Sequence, residues 1–290
     1  MGRTRLIAML AVFLVAIAAL VVAGCGGGDD TTSGGGETAA ETSGGGGAAE
    51  EGGGEEAGGG EPLTVGSDIP YPPFEQGKPG EYTGFDVDLM EAIGKEIGRA
   101  PEFQDSSFET IFRDVAQGKF EAVISAATIT EEREKVVAFS NPYYLSEQAI
   151  LVKDGSSIKG LADLAGETVG AQQGTTGLEL GKEKAEAGEL RPYPEGPDAI
   201  NALKAGTVAA VIIDAPVAAN AAEAGGVEVA EKVPTEESYG IAVAKDNTEL
   251  LEQINEGLAA TLEDGSYEQI YEKWFKEAPP KEIFALAKGE

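Results

Sequence analysis

The feature that most restricts how this chain can fold is an echo within it. TVG occurs at 64–66 and again at 168–170, and AQGKFEAVIS (116–125) is matched by KAGTVAAVII (204–213). In each of the longer stretches a glycine, Gly118 or Gly206, stands four residues ahead of an Ala-Val-Ile triplet. Helix, glycine stop and buried strand in that order form the second half of a βαβ unit. A unit that occurs twice predicts two similar α/β lobes, each built on a parallel sheet. Ligands of such open sheets sit beyond the carboxyl ends of the strands. Four strand ends therefore become candidate site positions: Ser67-Asp68, Ser125-Ala126, Ala171-Gln172 and Ile213-Asp214. Between the first two, FDVDLMEAIGKEIG places Val87, Met90, Ile93 and Ile97 at helical spacing, as core residues, with Asp86 most simply an N-cap.

Ahead of this body lie two segments of other kinds. The first has Arg3 and Arg5, an unbroken apolar run, then VAG before Cys25, the only cysteine. That order reads as a secretory leader over 1–24 rather than an uncleaved anchor. VAGC resembles a bacterial lipobox, in which Cys25 would receive lipid and become the mature N-terminus. Residues 25–61 continue as a Gly, Ser, Thr, Ala and acid tract with almost no apolar side chains to offset its ordering entropy. It is expected to be a flexible tether spanning on the order of 30–35 Å. One cysteine permits no intrachain disulfide.

Charge and composition exclude several functions. Setting aside the two leader arginines from 21 basic residues, and the nine tether acids from 51, leaves 19 basic against 42 acidic side chains in the body. So negative a surface does not suit nucleic acid. The chain has no histidine, which excludes His-dependent triads and His metal sites.

Three short stretches stand out near the strand ends. Thr130 is placed to cap a helix starting at Glu131, so Arg133 projects from its first turn beside the end of the 122–126 segment. Read alone, Arg133 is a solvated charge pairing with Glu131, Glu132 or Glu134. In QQGTTGLE, Gly174 permits a tight turn, and Thr175 and Thr176 lie where a helix would begin, a start that either caps itself or attracts an anion. Asp214 follows four apolar residues, where an acid is costly unless paired, and could equally cap the Ala-rich stretch after Pro216.

VGSDIPYPPFE with GFDVDLMEAIG, then SAATITEEREKVVAFSNPYY, AQQGTTGLE, IIDAPVA and YGIAVAK follow the order and spacing of the polar amino-acid solute-binding proteins of ABC importers. The chain resembles this group, bacterial extracellular solute-binding proteins of family 3, over residues 62–276, in a lipoprotein form. The resemblance implies an α/β, two-lobed periplasmic-binding-protein-like fold of type II with the ligand cleft between the lobes. Two hinge strands would cross near 143–152 and 234–241, with 62–147 and 240–290 in lobe 1 and 148–239 in lobe 2. It implies that Arg133 clamps the ligand's α-carboxylate, with Thr175 and Thr176 completing that site from the second lobe. Asp214 would take the α-ammonium, and Tyr71 and Phe108 would sandwich the aliphatic part. Ser125 and Ala126 would leave backbone free for the ligand, and Thr128 would add a hydroxyl. The family often has Gly near Ala126, so the methyl here narrows that wall. Asp68 and Gln172 would meet a polar side chain, favouring glutamine or a basic amino acid.

The implied function is delivery of a free amino acid to the transmembrane subunits of an ABC permease, by a monomer held outside the cytoplasmic membrane on a lipid anchor, at a cell surface or in a periplasm. No cofactor, metal, nucleic acid or catalysis is implied. The alternatives are a secreted enzyme on the same fold, of the cyclohexadienyl-dehydratase kind, and a ligand-sensing subunit. The second is disfavoured because the chain stops at ALAKGE with no output domain.

Overall fold

A computed structural model describes residues 60–289. The leader, Cys25 and the tether up to residue 59 lie outside the described residues, and so do the expectations of secretion and lipidation. Among the described residues no helix is long and apolar enough to cross a membrane.

The first lobe opens with β1 (Leu63–Ser67) and α1 (Phe85–Ile97). Val87, Met90 and Ile93 are buried and Ile97 half-buried, as the helical spacing predicts. Asp86 is not the cap: Gly84 holds that position and Asp86 is turned into the interior, fully buried. The interior offers Asp86 better donors than a helix end does, from Ala126 N at 2.7 Å and the Tyr143 hydroxyl at 2.8 Å. After β2 (Pro101–Asp105) and α2 (Phe108–Ala116) the chain turns at Gly118, whose φ of 75° lies in the left-handed region, and enters β3 (Ala122–Val123). The short α3 (Glu131–Glu134) and β4 (Val137–Phe139) follow.

A long strand, β5 (Tyr144–Lys153), carries the chain into the second lobe. There β6 (Thr168–Gln172), α4 (Thr176–Lys184), β7 (Glu189–Tyr193), α5 (Gly196–Ala205), β8 (Ala210–Asp214) and α6 (Ala215–Glu223) repeat the first pattern. Gly206 caps the end of α5 with φ 77°, as Gly118, one residue past the Gln117 cap, turns the chain after α2. A second long strand, β9 (Val227–Tyr239), leads back to β10 (Ala242–Ala244). The helices α7 (Thr248–Asp264), α8 (Ser266–Phe275) and α9 (Lys281–Leu286) complete the chain.

The strand orders are β2-β1-β3-β10-β4 and β7-β6-β8-β5-β9. The echo is thus a repeat of three parallel strands, β2-β1-β3 and β7-β6-β8. Neither sheet is parallel throughout, which corrects the sequence expectation. β10 runs antiparallel to both β3 and β4, and β5 runs antiparallel to both β8 and β9. The cause is the crossing itself. β5 and β9 leave and return in opposite directions, paired from Tyr144↔Tyr239 to Lys153↔Val227, so in each sheet one strand next to the triplet, β5 or β10, runs against it while β9 or β4 runs with it.

At the crossing the first lobe presents an aromatic cluster to β5 and β9. Tyr144 stacks on Tyr239 at 5.4 Å, and Phe85 and Tyr144 each stand 5.0 Å from Phe275. Phe74 meets Tyr144 edge-on at 5.2 Å. Phe85 is wholly buried among these rings. Its replacement by Ala leaves a cavity that the surrounding rings are too stiff to fill. Phe85→Ala is expected to lower unfolding free energy by about 3–5 kcal/mol in urea titration. A loss below about 1 kcal/mol would show that the cluster does not support the crossing.

Candidate functional site

Thr130 caps α3 as its sequence position predicts, accepting from the Arg133 N–H at 3.2 Å. The cap aims the Arg133 side chain away from its glutamate neighbours. Arg133 pairs with none of the three; Glu132 is taken by Lys135. The guanidinium lies over the rings of Phe108 and Phe112, 5.0 and 4.6 Å from their centroids. Nη1 donates to Thr128 O at 2.6 Å, and Nη2 crosses to the second lobe and donates to Gly174 O at 3.1 Å. Burial lowers the Arg133 pKa to about 10, opposed by the charges of Asp214 and Glu237, so the group remains a cation at neutral pH. Phe112 escaped the sequence reading because one apolar position on an amphipathic helix looks like any other.

Opposite stands Asp214 at the end of β8. It occupies the N-cap position of α6 but its side chain makes no capping bond. Its Oδ2 accepts instead from the Tyr71 hydroxyl, and Oδ1 from Gln148 Nε2, both at 2.6 Å. Burial and the nearby Glu237 charge push its pKa up to about 7. Asp68 directly follows β1 in similar surroundings. Its Oδ1 accepts from Phe108 N at 3.3 Å and its Oδ2 from Gln172 Nε2 at 2.5 Å. Burial raises it to about 6, against the pull of those two bonds.

These contacts close around a small, nearly filled cavity at the carboxyl ends of the strands. All eleven expected site residues line it: Asp68, Tyr71, Phe108, Ser125, Ala126, Thr128 and Arg133 from the first lobe, and Gln172, Thr175, Thr176 and Asp214 from the second. Hydrogen bonds from Tyr71 to Asp214, Gln172 to Asp68, Arg133 to Gly174 and Thr128 to Glu237 join the lobes.

Two expected details differ. The Ala126 N–H is not free for a ligand, because it donates to Asp86, and Ala126 itself sits at φ 44°, where a side chain is strained. Ser125 Oγ is also committed, accepting from Asp68 N at 2.9 Å and donating to Glu75 at 2.8 Å. Thr175 caps α4 through a bond from Leu178 N, and the Thr128 and Thr176 hydroxyls donate to Glu237 Oε2 at 2.9 and 3.0 Å. Glu237, on β9, and Gln148, on β5, were missed by the sequence reading. Glu237 follows another Glu and reads as surface charge. Gln148 carried a signal, an amide just ahead of the apolar run AILV.

A sequence profile of the bacterial extracellular solute-binding proteins, family 3, matches residues 63–277. The ABC transporter glutamine-binding protein GlnH of Bacillus subtilis (strain 168) is 35% identical over 205 residues, 69% of this chain and 75% of that protein. A solved structure of an ancestral arginine-binding protein bound to glutamine is 42% identical, covering 74% of this chain and 98% of the other, with a TM-score of 0.71. An ancestral amino-acid-binding protein, a precursor of cyclohexadienyl dehydratase, is 39% identical over 73% of this chain and 95% of its own, with a TM-score of 0.69.

Gly174 brings the backbone of the second lobe against that of the first. Its φ is 80°, and a Cβ there would lie 3.2 Å from the Glu109 Cα across the cleft. Gly174→Ala should cost about 1–2 kcal/mol of unfolding free energy from the left-handed backbone alone. The added methyl should also hold the lobes apart, enlarging the radius of gyration in X-ray scattering. A variant as stable and as compact as the parent would remove Gly174 from the closing contact.

Proposed function

The chain belongs to family 3 of the bacterial extracellular solute-binding proteins, and from that premise we propose that it captures a free polar L-amino acid between its lobes and hands it to the membrane subunits of an ABC importer. The observation that carries this reading is the placing of Arg133 and Asp214 on one cavity, a cation from the first lobe facing a carboxyl from the second. A free amino acid is a zwitterion. Arg133 suits its carboxylate with a planar, charge-assisted pair, and Asp214 suits its ammonium. Because the two groups come from different lobes, a ligand that engages both favours the closed form.

Asp68 and Gln172 supply the side-chain end. An acid beside an amide accepts from an amide, ammonium or guanidinium group, which favours glutamine or a basic amino acid. The names of the relatives, for glutamine and for arginine, point the same way. Residues 62–147 with 240–290 form the first lobe in this reading, and 148–239 the second. Cys25 carries the lipid, with 26–61 as the tether holding the body near the permease outside the cytoplasmic membrane; here the support is sequence alone. The likeness to a dehydratase precursor raises an enzymatic alternative. Turnover needs a cleft acid free to exchange a proton with substrate. Asp68 and Asp214 are each held by two donors already, which favours binding.

A thermal-shift screen of the twenty amino acids should show stabilisation by glutamine or a basic amino acid, since a ligand of the folded form alone raises apparent stability. In calorimetry, Arg133→Ala should weaken that ligand by about 2–5 kcal/mol. Undiminished binding by the variant would dismiss the carboxylate clamp.

The Asp214 pKa of about 7 fixes the sign of a pH effect. An ammonium ligand favours the ionised carboxylate, so below pH 7 binding must expel a proton. Affinity should fall by up to about tenfold per pH unit as pH drops from about 7 to 5. Arg133, near 10, does not titrate in that range, whereas Asp68, raised to about 6, adds a loss of the same sign below pH 6 for a ligand with a cationic side chain. Affinity that stays level over this interval would exclude Asp214 as the ammonium partner.

A further inference from the structure

Behind the cavity wall lie two acids that the binding site does not use. Glu75, just after the Pro72-Pro73-Phe74 turn, and Asp86, in the first turn of α1, are both fully buried. None of the ion pairs among the described residues includes either of them. Each carboxyl has one engaged oxygen. Glu75 Oε1 accepts from Ser125 Oγ at 2.8 Å, and Asp86 Oδ2 accepts from Ala126 N at 2.7 Å and Tyr143 OH at 2.8 Å. Each also has one buried oxygen with no donor, Glu75 Oε2 and Asp86 Oδ1. Bound to the adjacent residues Ser125 and Ala126, the two side chains lie side by side, each within the field of the other.

Two adjacent carboxylates without a cation cannot both stay ionised in an apolar interior. We propose that Glu75 is a neutral carboxylic acid at physiological pH, donating its proton from Oε2 to the ionised Asp86, and that it is thereby the positioning residue for Ser125 and Ala126 in the cavity wall. The assignment satisfies both orphaned oxygens with one proton. It places the single negative charge on Asp86, which has the two further donors. It also explains how Ala126 is kept at φ 44°: the charged Asp86 holds its N–H. The groups facing the pair deepen the preference for a proton. Asp68, Asp214 and the Tyr71 hydroxyl face Glu75, and the hydroxyls of Tyr143 and Tyr267 face Asp86; none is cationic. Burial, then the Asp86 charge, raise Glu75 well above the ordinary carboxyl range.

The role of the wall rests on the amino-acid reading above, whereas the proton does not. A carboxyl protonated in the fold and ionised when unfolded makes stability fall as pH rises beyond its unfolded pKa. Each pH unit then multiplies the unfolding constant by about ten for one such proton. Glu75→Gln keeps the shape and the donor but has nothing to lose. Denaturant titrations between about pH 6 and 8 should show the slope of log K of unfolding against pH reduced by about one in the variant, with amino-acid affinity kept within about threefold. An unreduced slope overturns the proposal, and so does a folded variant that no longer binds what the wild type binds. Should the variant not fold, infrared spectroscopy of the wild type decides: the C=O band of a protonated carboxylic acid persists at about pH 8.5, or its absence refutes the assignment. If the wild type binds no amino acid at all, the functional reading fails while slope and band still test the proton.

Discussion

The molecule depends on an imbalance of charge at the seam between its lobes. One guanidinium, Arg133, stands among Asp68, Asp214 and Glu237, with Glu75 and Asp86 behind them. Carboxylates removed from water must find a donor, a proton or a cation. Here each solution is used in turn: amides and hydroxyls serve Asp68, Asp214 and Glu237, and a proton serves the deeper pair. A small cationic or zwitterionic molecule would be a further partner for such a seam.

The same imbalance joins the two halves mechanically. Tyr71 reaches Asp214 and Gln172 reaches Asp68 because acids at the strand ends of one lobe face donors carried by the other. Arg133 adds a bond to a carbonyl on each side. These contacts are few and polar, set between lobes whose own cores are apolar, and a polar seam can exchange its partners where a packed core cannot. The crossing strands β5 and β9 supply the complementary rigidity, anchored on stacked aromatic rings in the first lobe.

Much of the architecture could be read from local pattern. The duplicated strand triplet, the glycine stops and the caps at Thr130 and Thr175 each depend on a few neighbouring residues. Asp86 shows where such reading fails. As a string, an acid in a first helical turn is a cap, and only the packing of α1 against the Ser125-Ala126 segment turns it inward. The antiparallel strands of the sheets were hidden for a like reason: β5 and β10 take their places beside β8 and β3, partners far away along the chain.

What the sequence by itself determined is which residue types stand at the strand ends, and that no histidine or second cysteine serves this chain. Periodicity and capping act over a few residues, so they survive in a one-dimensional text. Tertiary structure alone decided what each acid faces: Gln148 and Tyr71 for Asp214, Glu75 for Asp86, and Glu237 for two threonines on different lobes. A carboxyl's protonation and role follow from its burial and its partners, and both are properties of contacts between distant segments that no local pattern encodes.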